Sequence, residues 1–283
     1  MFEFFNALIH HHFLQQAVVA CLLASAGCGI IGAFVVVKRV GSLAGGIAHA
    51  VLAGMGIAYF YGGSPMVGAA VTALLSAVLI GLIKLKWKQE EDILIAAFWS
   101  IGMAVGILFI AKTPGYNVNL MSYLFGNVLL VSSSDTIRML VLDIAIVVTV
   151  ALSYKQFLAM SFDEEFARLR GVNVELFYIL LLSLIALTVV LLIQIVGLVL
   201  VMALLVLPAA SAAQFVRSLP KIMLFAILIS TVVTFSGLVV SYQPDLPAGA
   251  TIVVISGFVY IMSVMLRRFL IKRRKRHLVA TTG

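Results

Sequence analysis

Few residues in this chain can do chemistry, so those lying in or beside apolar stretches stand out. His49, in Gly45-Gly46-Ile47-Ala48-His49-Ala50, is the one histidine inside an apolar window. A neutral imidazole offers a nitrogen lone pair to Zn²⁺ and related divalent ions. An ionisable group within such a window is by default a functional candidate, against the plainer reading of a core histidine bonded to a backbone carbonyl. Asp143 is the one acid clearly inside a window. It either supplies a carboxylate to the same chemistry or, five residues from Arg138, snorkels to an interface; the second reading is preferred. His10, His11 and His12 precede the first window. Consecutive residues point in different directions on a helix, so these are not one preformed ligand set and read first as interfacial filler.

A second kind of chemistry is mechanical. The segment Ser161-Phe162-Asp163-Glu164-Glu165-Phe166-Ala167-Arg168-Leu169-Arg170-Gly171-Val172 is short and charged. Phe166 and Leu169, three apart, share a helical face, and Gly171 offers a helix stop. Such a helix beneath a bundle is a lever for a partner chain; the plainer reading is a solvated loop helix.

The elements that must position these residues follow from composition. The chain has 283 residues, 63% hydrophobic and 11% charged, where a soluble domain carries about 25% charged residues. A chain this apolar needs lipid as its solvent. Its all-α fold class is one polytopic bundle spanning 1–283 rather than two soluble domains. Windows long enough to cross a bilayer run Phe13–Val37, Val40–Tyr61, Pro65–Ile83, Ile93–Ala111, Met139–Tyr154, Ile222–Tyr242 and Ala248–Leu266. The apolar stretch Val174–Phe215 is too long for one span and breaks near Gln194 and Gly197 into two, which makes nine. With the N-terminus outside, 17 of the 19 Lys and Arg fall on the cytoplasmic side, all but Lys112 and Arg138. The net charge of +8 is therefore a topology and lipid-headgroup signal, not a nucleic-acid patch. Pro114–Asp135 is the weak point of the count, a candidate re-entrant or surface helix. No basic region precedes the first window, so no cleavable leader is expected.

Gly, Ala and Ser crowd the windows, letting helix backbones approach closely. Cys21 and Cys28 sit two turns apart, about 10.5 Å, too far for a disulfide, and read as small packing residues. Pro208 is expected to kink the seventh span. Glu90-Glu91-Asp92 reads as an acidic first turn on the fourth. No Gly-x-x-x-x-Gly-Lys-Ser/Thr motif occurs, so any ATPase is another chain. No Ser/His, paired-Asp or His-Glu-x-x-His set lies in the spans, which argues against an enzyme. The near absence of charged relay residues argues against a proton- or sodium-coupled carrier.

Several motifs occur in an order that carries a resemblance. Glu165-Phe166-Ala167-Arg168 with Gly171 is followed by Val196-Gly197 and by Ala203-Leu204-Leu205-Val206 with Pro208-Ala209-Ala210. Phe34 to Arg39, Ala48-His49-Ala50-Val51-Leu52 with Gly54, and Asp245-Leu246-Pro247 with Gly249 complete the set. Over residues 13 to 266 this resembles the permease family of bacterial zinc/manganese/iron ABC importers. The resemblance implies a homodimer around one translocation path, two cytoplasmic ATP-binding subunits and an external metal-binding protein, with the divalent ion as substrate and no resident cofactor. It implies that Asp163, Glu165, Phe166, Ala167, Arg168 and Gly171 form a coupling helix and that His49 contacts the metal. Position 45, where the family commonly has an aspartate, is glycine here, so the family's two-ligand site does not carry over whole. A permease for a metal chelate or cobalamin-type cargo is the nearest alternative.

Overall fold

The computed structural model describes residues 2–87, 91–113, 126, 128, 131–242, 244 and 246–282, and among them the regular structure is helical. The helices are α1 (Phe2–His10), α2 (His12–Lys38), α3 (Gly41–Phe60), α4 (Pro65–Trp87), α5 (Glu91–Lys112), α6 (Ser133–Leu152), α7 (Tyr154–Phe162), α8 (Glu164–Leu169), α9 (Val174–Val196), α10 (Leu198–Ala213), α11 (Leu219–Tyr242) and α12 (Ala248–Thr282). A chain in lipid must satisfy its backbone within each segment, which leaves helices or a closed barrel.

Six of these helices are long and apolar enough to cross a bilayer alone, and a seventh counts if α6 and α7, bent by 72°, form one pass. The nine passes expected from the sequence are not reached by that measure. The shortfall lies in the sixth and seventh windows, where the described apolar stretches are the shorter Val174–Val190 and Leu200–Ala213. The break between them falls at Gly197, whose φ of 79° and ψ of 159° belong to a region only glycine enters readily. α10 continues through Pro208. α6 begins earlier than the fifth window because Ser132 and Asp135 close a capping box. Most of the suspected re-entrant segment, together with Glu90 and Asp245, lies outside the described residues.

Packing follows the small residues. α2 is the central helix, in contact with α6, α10 and α11. A Cβ on Gly29 would lie 2.7 Å from the Ile227 backbone nitrogen of α11, and one on Gly32 would lie 3.1 Å from the Leu205 carbonyl carbon of α10. Ser25 Oγ bridges α2 to Thr234 Oγ1 of α11 at 3.3 Å. α3 is held as closely on its other side. A Cβ on Gly54 would overlap Thr72 and the Gly68 carbonyl of α4, and one on Gly56 would lie 2.6 Å from the Gly106 carbonyl oxygen of α5. Backbone-on-backbone contact of this kind takes the place of the hydrophobic drive that lipid removes.

Two sets of contacts define the ends of the bundle. At one end Thr136 Oγ1 of α6 donates to Gln16 Oε1 of α2 at 2.8 Å. At the other, Lys38 pairs with Glu164 and Lys84 with Tyr178, so this is the basic end. α2 closes there with Val40 N–H donating to Val35 O and Arg39 N–H to Val36 O. Arg39 takes φ +60°, which costs roughly 1 kcal/mol in a non-glycine residue and turns the chain directly into α3.

Candidate functional site

His49 sits about two turns into α3 from the basic end, half buried. Its ring stacks on Trp99 of α5, with centroids 4.1 Å apart and planes within 8°. Trp99 in turn donates its indole N–H to Met103 Sδ at 3.1 Å. His49 Nδ1 is buried and has no hydrogen-bond partner. The carbonyl-bonded core histidine is therefore not seen at that nitrogen. A buried ring nitrogen without a partner has lost its solvation, and a cation is one group that restores it. The stack fixes the ring plane and leaves the nitrogen free to act.

One turn earlier, Gly45 is buried and faces α10: a Cβ there would lie 3.0 Å from Met202 Cε and 3.7 Å from its Sδ. A thioether thus fills the room that a side chain at position 45 would need. Among the described residues no three His, Cys, Asp or Glu side chains are grouped to hold a metal, so His49 is not part of a closed ligand set of that kind. The apolar cavity lined by Ala50, Thr72, Ser76, Phe98 and Gly102 lies between α3, α4 and α5, with two hydroxyls for polar groups; its lining suits a hydrocarbon, not an ion.

Asp143 does not reach an interface. Arg138 pairs with Asp135 instead, at 3.1 Å, while Asp143 Oδ1 fills the space where a Gly27 side chain would start, 2.5 Å from that Cβ position. Gly27 lies eleven residues before Lys38, about 16 Å along α2, so the carboxyl group is at mid-depth, with Oδ2 buried and unpartnered. The snorkelling reading is corrected. α6 packs on α2, and no contact joins Asp143 to His49. His10 and His11 are exposed at the α1–α2 junction; His10 Nδ1 donates to Asn6 O at 2.8 Å and His11 leans on Phe13. Cys21 and Cys28 are free and buried.

The charged segment forms α8, built by local rules. Asp163 caps it, its carboxylate accepting from Phe166 N–H at 2.9 Å. At the far end Gly171 N–H donates to Arg168 O and Val172 N–H to Ala167 O, both at 3.0 Å. This double closure needs a left-handed residue, and Gly171 supplies it with φ +77°. Ala167 is fully buried, whereas Phe166 is 53% and Leu169 86% exposed. The helix therefore docks by a methyl group and presents two large apolar side chains away from the bundle. Glu165 is exposed, and Arg168 reaches Glu175 of α9 at 3.7 Å, a pair more than half exposed on both sides.

Sequence reasoning missed the residues that tie α8 to the membrane helices. Glu164 points inward and pairs with Lys38, 126 residues away. Lys84 Nζ donates to Tyr178 OH at 3.1 Å. Trp99 and Met202, the neighbours of His49 and Gly45, were missed too. Nothing local in the sequence marks these pairings, because each relation joins different helices.

Comparisons with known proteins agree over nearly the whole chain. The profile of a family described as the ABC 3 transport family matches residues 10–267. An uncharacterized membrane protein of Synechocystis is 41% identical over 95% of each chain. The manganese transport system membrane protein MntC of Halalkalibacterium halodurans is 33% identical over 92% of this chain and 89% of its own. Among solved structures, PsaBC from Streptococcus pneumoniae in complex with Fab superposes with a TM-score of 0.83 at 30% identity, covering 92% of this chain and 94% of that one.

Proposed function

This chain belongs to the ABC 3 transport family, and from that premise we propose that it is the membrane subunit through which an ATP-driven importer passes a divalent transition-metal ion, zinc, manganese or iron, into the cytoplasm. It is a multi-pass protein of the cytoplasmic membrane with its basic end inside. The observation that carries the reading is α8, capped at both ends, anchored through Ala167, and turning Phe166 and Leu169 outward below the bundle. A six-residue helix with that exposure has no use in a self-contained carrier. It suits a cytoplasmic ATP-binding subunit that takes the two apolar side chains into a groove and pushes on α8 as it closes, a rigid-body switch.

The ion contacts His49 in transit. One chain supplies one imidazole, and α5, which carries Trp99, is largely uncovered in the single chain. A homodimer that brings two copies of this face around an axis would double the ligand set. An external metal-binding protein delivers the ion to the opposite end. The test is uptake of radioactive Mn²⁺, Zn²⁺ and Fe²⁺ by proteoliposomes holding this chain with and without its cognate ATP-binding subunit. ATP-dependent uptake of at least one ion, only with both chains, is expected. Uphill movement by this chain alone, or transport of none of the three, overturns the reading.

A further inference from the structure

We propose that Glu164, Lys38, Lys84 and Tyr178 form a transmission joint that fastens α8 to the ends of α2, α4 and α9, so that α8 and the basic end of the bundle move as one body. The proposal rests on the reading of α8 as the helix on which a partner acts.

α8 does not need Glu164 for its own formation: Asp163 caps it, Gly171 ends it and Ala167 seats it. Glu164 instead faces the bundle, opposite to Phe166 and Leu169. Its side chain, 42% exposed, pairs with Lys38, whose side chain is only 9% exposed. An ammonium so far out of water is tolerated only when paired. Lys84 is the second cation here. It lies 4.4 Å from the Tyr178 ring centroid and donates to the phenol oxygen, while Lys38 sits 5.8 Å from the same ring. Tyr178 itself is almost fully buried. Two ammonium groups lie against one aromatic ring and repel each other. The negative ring face and the Glu164 carboxylate, close enough to act electrostatically on both Lys84 and Tyr178, hold them together. Removing the carboxylate takes away a negative group that acts on both lysines and leaves their mutual repulsion less compensated, so the joint is tightest while α8 is seated.

α4 meets α3 through the Gly54–Gly68 backbone contact, and His49 lies on α3 five residues before Gly54. The other tie of α8, Arg168 to Glu175, is long and exposed, and pairs of that kind contribute little. Glu164 is therefore a positioning residue, acting through Lys38 and Lys84 on helices it does not itself belong to.

The test uses the full transporter, permease with its ATP-binding subunit, in native form and as E164Q and the charge swap K38E/E164K. Spin labels at R170C, at the end of α8, and W87C, both exposed positions, report the distance from α8 to the end of α4; Cys21 and Cys28 are buried and do not label. In the native protein this distance should hold within about 2 Å between nucleotide-free and ATP-bound states. E164Q should broaden or shift it, and the swap should restore it. A distance that changes with nucleotide in the native protein, or stays native in E164Q, overturns the joint. This readout needs no cargo, so it decides the joint even if the metal-import reading fails in the uptake assay. Where Mn²⁺ uptake is seen, ions moved per ATP hydrolysed should fall at least about five-fold in E164Q and recover in the swap. An unchanged ratio, or an E164Q chain that no longer co-purifies with the ATP-binding subunit, rejects the joint, the latter by assigning Glu164 to docking.

Discussion

Replacing Gly54 by alanine adds one methyl group where α3 crosses α4, and the structure says what it meets. The new Cβ would overlap Thr72 Oγ1 and the Gly68 carbonyl oxygen, and would lie 2.7 Å from the Gly68 carbonyl carbon. Carbon atoms in contact rest at about 3.5–4.0 Å, so the two helices must part by about 1 Å. Two of the three obstacles are backbone, which no rotamer change can move aside. A gap of that size forfeits roughly a quarter to a half of each dispersion contact along the crossing, and overpacking of a tight site costs about 1–3 kcal/mol. Because two of the obstacles are backbone well inside contact distance, the top of that range applies; alanine returns about 1 kcal/mol of helix propensity, leaving a net loss of about 2 kcal/mol. Gly257→Ala is the control: a Cβ there has nothing within 4 Å, so only the propensity gain of up to about 1 kcal/mol remains. The variants should differ by about 3 kcal/mol, or roughly 6–10 °C in apparent melting temperature for a chain of this size, measured on detergent-purified protein. If Gly54→Ala melts within about 1 °C of Gly257→Ala, the close crossing is not what holds α3.

Three further outcomes are expected. His49→Ala should lower uptake of the cognate ion at least about ten-fold, since one lost ligand contact worth about 1.4 kcal/mol already does so; native accumulation of Mn²⁺, Zn²⁺ and Fe²⁺ would reduce His49 to a packing residue on Trp99. Glu165→Ala with Arg168→Ala removes only exposed charges and one loose ion pair, so stability should change by less than about 1 kcal/mol while ATP-dependent uptake is lost; native uptake by this double variant would reject docking through these side chains. Gly171→Ala forces a methyl-bearing residue to φ +77° at about 1–2 kcal/mol, which should loosen α8 and weaken co-purification with the ATP-binding subunit while the bundle stays folded; undiminished co-purification would show that the stop at Gly171 is dispensable.

What the sequence alone determined is what depends on near neighbours and on solvent. Sixty-three per cent hydrophobic residues demand lipid, and lipid demands helices. Gly197 had to divide a stretch too long for one pass, because its backbone angles are glycine's own. Asp163 and Gly171 delimit α8 by bonds reaching three to five residues, and Phe166 and Leu169 share a face by periodicity. The residues 13–266 likewise carried enough ordered motifs to indicate the family. Tertiary structure decided which side chains meet. It took Asp143 from an expected place at the interface to a niche that Gly27 leaves open on α2, laid His49 on Trp99, set Met202 against Gly45, and closed Glu164 onto Lys38 across 126 residues. In a bundle where almost every surface is apolar, hydropathy marks where helices are but assigns no rotation to them. Rotation comes from which small residues let which backbones touch, and that is a property of pairs of helices rather than of any one of them.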